Sequence, residues 1–241
     1  PPIPVSTKVY GGSSFVTYSE FLNELMPYAE PDFAAFQKRI VNSPAQCFLG
    51  IRTPVMRKLA KRFKSRLDEL FAFPDNYYEV TFIKLTAASL LPYDEFCGYV
   101  GRCMPLIDNW ALCDCFRPAC LKRHRDEFLP YLEKFFAHGG EFYQRFVLTT
   151  LLGDYVEEKY LPLIADYLKR ADTRLYYVHM AAAWLTAELL VKHYDQGLEI
   201  LKGGILRPKT HNKAIQKAKE SFRITEEQKG YLESLKIKIT K

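Results

Sequence analysis

The sequence predicts an all-α protein built as a stack of helical pairs, and three observations carry the prediction. Apolar residues recur at i, i+3, i+4 and i+7 along the chain, while alternating Val/Ile/Thr runs bounded by turns are scarce. Helix starts and stops are marked by capping residues, prolines and glycines. A weak internal repeat is also present: Phe128-Leu129-Pro130-Tyr131-Leu132 resembles Tyr160-Leu161-Pro162-Leu163-Ile164, 32 residues later. Each copy leads into an aromatic-rich helix, so that Phe142-Tyr143 precedes Tyr176-Tyr177 by 34 residues. Helical pairs recurring at this interval stack as a solenoid, each pair burying its face against its neighbours, and a curved stack has a concave surface.

The elements follow in order. Residues 1–14, PPIPVSTKVYGGSS, predict a loose lead-in and lack the basic and apolar regions of a secretory signal. No linker divides residues 15–241, which predict a single domain. A helix opens near 53, with Thr53 as N-cap and Pro54 as its first residue. Others open near 78, at Tyr93-Asp94-Glu95, at 109 with Asp108 as cap, near 141 and near 174. Gly139-Gly140 and Gly203-Gly204 mark helix ends. The pattern predicts some twelve to fourteen helices of 8 to 20 residues. If equivalent second helices line the concave face, those near 53, 78, 109, 141 and 174 form it.

Bulk properties narrow the class. A chain of 241 residues, 48% hydrophobic and 26% charged, suffices for a real core. No run approaches 18 uninterrupted apolar residues, so no membrane span is expected. The six cysteines have no CxxC spacing, and Cys113 and Cys115 fall on different sides of a helix. They predict free thiols in a reducing cytoplasm, without a metal.

Charge is clustered within a net +6. Thr53 to Arg66 carries six Lys/Arg and no acid, and Arg207 to Lys219 carries five Lys/Arg, one His and no acid. Leu121 to Arg125 adds three more Lys/Arg. Any one run is what a solvated helix face looks like, but three together point to a polyanion, with a phosphate backbone the natural candidate.

The stretch DNWALCDCF, Asp108 to Phe116, puts Trp110 and Asp114 four residues apart on one helical face. Burying an unpaired carboxylate costs several kcal/mol, so Asp114 requires a partner or a role. The concave lining would offer Arg145, Tyr143, Tyr176, Tyr177 and Trp184 besides Trp110 and Asp114. Plainer assignments exist: Asp114 with Arg117, Arg145 with Glu141, and Trp184 in the core. Two tryptophans, a carboxylate and an arginine in a basic concavity suit a cationic or charge-developing ligand carried on a phosphate chain.

FLGIRTPVMRKLAK (Phe48 to Lys61), DNWALCDCF, FYQRFVLTTLL (Phe142 to Leu152), YYVHMAAAW (Tyr176 to Trp184) and THNKAIQKA (Thr210 to Ala218) occur in a telling order. Their order and spacing resemble the AlkD-like DNA alkylation repair proteins over roughly residues 20–235. The resemblance implies a right-handed superhelix (α-solenoid) of HEAT-like repeats whose concave basic groove holds DNA. It implies a monofunctional glycosylase hydrolysing the N-glycosidic bond of cationic N3- and N7-alkylated purines. Carried across, Asp114 is the catalytic carboxylate, Trp110 and Trp184 are the cleft tryptophans, and Arg145 is the cleft arginine. Thr53 and Arg57 would grip backbone phosphate, with Thr210, Asn212 and Lys213 as a second clamp. This chain has Asn109 and Ala187 where some members have a second aromatic and a further basic residue. The expected partner is double-stranded DNA with alkylated bases, bound by a monomer without cofactor or metal. The alternatives are a non-catalytic protein that recognises damaged or branched DNA, and a helical scaffold for an acidic protein.

Overall fold

The computed structural model of the protein describes residues 17–41, 43 and 46–239; the expected lead-in, residues 1–14, lies outside them. The described chain is helical, and its single β feature is an isolated parallel bridge between Cys47 and Tyr77. The helices run α1 (Tyr18–Leu25), α2 (Pro31–Val41), α3 (Thr53–Phe63), α4 (Leu67–Ala72) and α5 (Tyr78–Ser89). Next come α6 (Tyr93–Cys103), α7 (Trp110–Cys115), α8 (Arg125–Ala137), α9 (Glu141–Asp154) and α10 (Leu161–Arg170). The last are α11 (Tyr176–Lys192), α12 (Tyr194–Lys202), α13 (Pro208–Lys219) and α14 (Glu226–Ser234). None of them is long and apolar enough to cross a membrane.

Local chemistry explains most of the boundaries. Thr17 and Glu20 close a capping box on α1, and Thr225 and Gln228 do the same on α14. Gly139 at φ +78° and Gly204 at φ +63° adopt the left-handed conformation just past α8 and α12, as the glycine pairs predict. Within α3, Met56, Leu59, Ala60 and Phe63 are buried at i, i+3, i+4 and i+7, which turns Arg57, Lys58, Lys61 and Arg62 outward. Burial contributes about 1.5–3 kcal/mol per large apolar side chain. Helix propensities differ by only about 0.7 kcal/mol between ordinary residues, so packing decides the placement of this basic helix.

Every second helix packs on the next. α3, α5, α7, α9, α11 and α13 form one continuous row, as helical repeats do. α6 packs on α5, α8 and α10 pack on α9, α12 packs on α11, and α14 packs on α13. The repeat seen in the sequence corresponds to two successive pairs, α8–α9 and α10–α11. Their second members, with α5, are buried on nearly all sides.

Three expectations are corrected. Thr53 is the first residue of α3, with Arg52 as its N-cap and no side-chain cap hydrogen bond. Asp108 does not cap α7; Asn109 does, its Oδ1 accepting from Leu112 N at 2.9 Å. Asp108 instead accepts from Ser43 Oγ at 3.0 Å and Asn109 Nδ2 at 2.7 Å. Finally, α4 and α7 have only six residues each, below the expected range.

The loop into α3 is held by a carboxylate in the core. Glu79 of α5 is fully buried and accepts from the backbone N–H groups of Leu49 (3.0 Å), Gly50 (2.8 Å) and Ile51 (3.3 Å). Gly50 sits at φ +80°, and a Cβ there would lie 2.2 Å from Glu30 O and 2.6 Å from Ala34 N. The Gly-Ile-Arg-Thr-Pro segment is thus a close crossing of the chain over α2, pinned from below by α5.

Candidate functional site

Asp114 stands at the junction of α7 and α9. Because α7 ends at Cys115, Asp114 occupies its last turn, where the helix dipole disfavours a carboxylate. Arg145 of α9 supplies the compensating charge through a bidentate pair. Its Nε donates to Asp114 Oδ1 at 3.0 Å and its Nη2 to Oδ2 at 2.7 Å. The Arg145 side chain is 7% exposed and that of Asp114 21%, so the cation is sealed while the carboxylate keeps an edge open to solvent. A planar fork of this kind fixes carboxylate orientation as well as charge.

The surrounding backbone is clamped by the same residues. Arg145 Nη1 donates to Tyr177 O at 3.0 Å, and Glu141 Oε1 accepts from Tyr177 N at 2.7 Å. Glu141 and Arg145, one turn apart on α9, therefore grip both sides of the first turn of α11 rather than each other. Arg117 donates to Asp114 O at 3.2 Å and to Thr149 O at 2.7 Å, so it fastens the end of α7 to α9 without touching the carboxylate. Both plain pairings open in the sequence, Asp114 with Arg117 and Arg145 with Glu141, give way to contacts between helices.

Trp110 is half-buried one turn before Asp114, and its indole N–H donates to Ile40 O at 3.1 Å. Burial pushes the half-buried Cys115 thiol up, and the nearby positive charge of Arg57 of α3 opposes the rise. Cys113 on the opposite side is fully buried, and burial pushes its thiol up to about 12. Thr53 is half-buried at the start of α3.

Trp184 is 39% exposed and stands out from a helix that is otherwise buried. With Tyr176, Tyr177, Met180 and Glu188 it forms the one stripe along the middle of α11 that is not buried. It lines a cavity of about 260 Å³ with Lys217, Glu220, Ser221 and Arg223, between α11 and the end of α13. Ala187, also on that wall, is 4% exposed.

Three of the expected residues face elsewhere. Tyr143 stacks on His138 with ring centroids 3.8 Å apart and packs edge-on against Phe135, which turns it toward α8. From α9 it is Phe142 that meets Tyr177, at 5.1 Å. Thr210 is fully buried, its hydroxyl 2.9 Å from His179 Nδ1, so its side chain looks inward. Asn212 is spent on the C-terminal segment: its Nδ2 donates to Ile237 O at 2.8 Å and its Oδ1 accepts from Ile237 N at 2.9 Å. Lys213 remains half-exposed, donating to Gln216 Oε1 at 3.1 Å.

The geometry assembles Asp114, Arg145 and Tyr177, with Trp110 beside them and Trp184 further along α11. Glu141, Phe142 and Arg117 belong to this assembly and were not picked out as site residues from the sequence, although Glu141 and Arg117 carried a signal as partners of its charges. Among the described residues, no group of three or more His, Cys, Asp or Glu side chains could hold a metal ion. The arrangement offers an oriented, solvent-touching anion beside aromatic faces, which stabilises positive charge developing in a neighbouring group.

Comparison with known proteins adds one positive finding. A family model described as a DNA alkylation repair enzyme matches residues 21–198. The match spans α1 to α12 and so contains Asp114, Arg145 and both tryptophans. No curated protein matches the chain.

Proposed function

Because this chain belongs to the DNA alkylation repair enzyme family, we propose that it is a DNA glycosylase that releases cationic N3- and N7-alkylated purines from duplex DNA. The observation that carries this reading is the bidentate Arg145–Asp114 pair, with its guanidinium buried and its carboxylate edge open. Each carboxylate oxygen keeps a second lone pair after accepting from Arg145. One can face a sugar carbon while the other orients water.

An alkylated purine cation already weakens its own glycosidic bond. As that bond breaks, its electron pair leaves with the base and positive charge builds on the sugar. Asp114 stabilises that charge and directs a water oxygen to the anomeric carbon, and the released proton passes to the carboxylate or to solvent. The indole faces of Trp110 and Trp184 flank the cationic lesion. Arg57 and Thr53 at α3 hold backbone phosphate, and the long basic faces of α3 and α13 add salt-sensitive affinity. The protein works as a monomer, without cofactor.

The test is base release from duplex DNA carrying 7-methylguanine or 3-methyladenine. Wild type is expected to release base, and Asp114→Asn to release it about 10²–10³-fold more slowly, the usual scale for losing one electrostatic stabiliser. No release by wild type, or equal release by both, overturns the reading. One observation favours a second reading: a fully bidentate Arg–carboxylate pair is also what a purely structural clamp between α7 and α9 looks like. In that case the protein binds damaged or branched DNA without chemistry, and Arg57→Ala weakens salt-sensitive binding while no substrate loses its base.

A further inference from the structure

A second cavity lies against Tyr176, the residue before the clamped Tyr177. It measures about 440 Å³, is open to solvent, and is lined by α11, α13 and the C-terminal segment after α14. Its apolar walls are the Tyr176 ring, Met180 and Ile239, and its cations are Lys209, Lys213 and Lys236. A neighbouring cavity of about 330 Å³ shares Tyr176, His179 and Lys209 and adds Arg174 and Arg207. Among the described residues, no carboxylate lines either one, although Lys236 is paired with Glu233 and Arg174 with Asp172, each at 2.7 Å.

Four features together define the ligand. Tyr176 is 59% exposed, yet its neighbour Tyr177 is clamped by Glu141 and Arg145 at both backbone atoms, so the exposed ring stands on an immobilised turn. Lys209 has no hydrogen-bond or ion-pair partner among the described residues. The wall at Ile239 is held in place by the double hydrogen bond between Asn212 and Ile237. Buried at the base, His179 has its Nδ1 engaged by Thr210, which leaves its ring edge as floor rather than as a mobile group. A flat apolar wall beside several cations selects a ligand with a planar body and an anionic end. The size lies within the range of small-molecule sites, about 300–1,000 Å³.

We propose that this cavity binds one unpaired nucleotide, its base stacked on Tyr176 and its phosphate held by Lys209 and Lys213. The proposal rests on the reading of the chain as a DNA-handling protein and extends it to strands with an unpaired position. The shared chemistry is a nucleotide, whether free or within a strand. The Thr210-Asn212-Lys213 run thereby acquires a divided role: Thr210 and Asn212 build the cavity, and Lys213 faces the ligand.

The test measures fluorescence anisotropy of the full chain with a blunt duplex and with the same duplex carrying a two-nucleotide single-stranded overhang. A 2-aminopurine in the overhang reports stacking, and adenosine monophosphate serves as competitor. Wild type is expected to bind the overhang duplex more tightly and to quench the 2-aminopurine. Tyr176→Ala is expected to lose about tenfold of that preference together with the quenching, whereas Tyr176→Phe keeps both. Displacement by adenosine monophosphate identifies a free nucleotide as sufficient ligand, and retention identifies the strand as the source. No preference by wild type, or an equal preference and quench in Tyr176→Ala, overturns the proposal. Base release assayed in parallel separates the two readings. Overhang preference without release sinks the glycosylase alone, and release without overhang preference sinks the nucleotide site alone.

Discussion

The indole N–H of Trp110 donates to the backbone carbonyl of Ile40 at 3.1 Å, joining the start of α7 to the end of α2 across 70 residues. Ser43 Oγ donates to Asp108 Oδ2 at 3.0 Å in the same junction. Together they tie the entry of α7, and with it Trp110, to the end of α2.

Trp110→Phe keeps the aromatic face and removes the donor. One neutral hydrogen bond is worth about 0.5–1.5 kcal/mol, which for a chain of this size lowers Tm by roughly 2–4 °C per kcal/mol. Base release is expected to fall less than in Trp110→Ala, which also removes the face. Thermal unfolding and single-turnover release of the two variants check this.

A double-mutant cycle on Asp114 and Arg145 should show strong coupling. Asp114→Asn alone leaves a guanidinium of 7% exposure without its counter-charge. The expected cost is about 1–3 kcal/mol, reduced from that of a fully buried pair because Asp114 touches solvent. Combining it with Arg145→Gln should be clearly less destabilising than the sum of the single changes. Urea denaturation measures all four corners, and additivity would show that the pair is not energetically joined.

Gly50→Ala is expected to destabilise the protein by about 1–3 kcal/mol or more, since it combines a left-handed backbone with a Cβ 2.2 Å from Glu30 O. Glu79→Gln removes a charged acceptor from three backbone donors and should lower stability by a similar amount. Hydrogen exchange at Leu49, Gly50 and Ile51 should rise in both variants.

Stability should depend on pH through His179. Burial, with Lys209 and Lys213 as lesser causes, holds its pKa below the usual histidine range. The unfolded chain takes up this proton near pH ~6.5 and the folded one only lower. The contribution is therefore fully present above about pH 6.5 and is lost as pH falls from there toward the folded value. Unfolding measured from pH 7.5 down to 5.5 should show the decline, and His179→Gln should flatten it.

Asn212→Ala is expected to free the C-terminal segment without unfolding α13, because Ala214, Ile215 and Ala218 keep that helix buried. Amide exchange at Ile237 should accelerate, while protection within α11 stays as in wild type.

Much of this molecule is legible in local patterns. The starts of α3, α5, α9 and α11 fall within two residues of the expected positions; apolar residues repeat with the helical period in α3, whereas long, nearly continuous apolar runs mark the other three. Glycine pairs mark the ends of α8 and α12 because left-handed backbone is nearly closed to other residues. The shared face of Trp110 and Asp114 follows from their spacing of four. The N-cap of α7 did not, since Asp108 and Asn109 are both good caps and Ser43, distant in sequence, engages the aspartate.

What the sequence by itself determined is which stretches are helical and where positive charge collects along the chain. Tertiary structure alone decided the pairings. Arg145 had Glu141 one turn away and took Asp114, 31 residues earlier, because burial at the α7–α9 contact strips water from the guanidinium and rewards a bidentate partner. Thr210 turned inward to His179, and Tyr143 turned to His138, for the related reason that packed helices offer partners that the i+3 and i+4 rules do not contain. Local spacing names the faces of each helix, and desolvation between helices chooses among them.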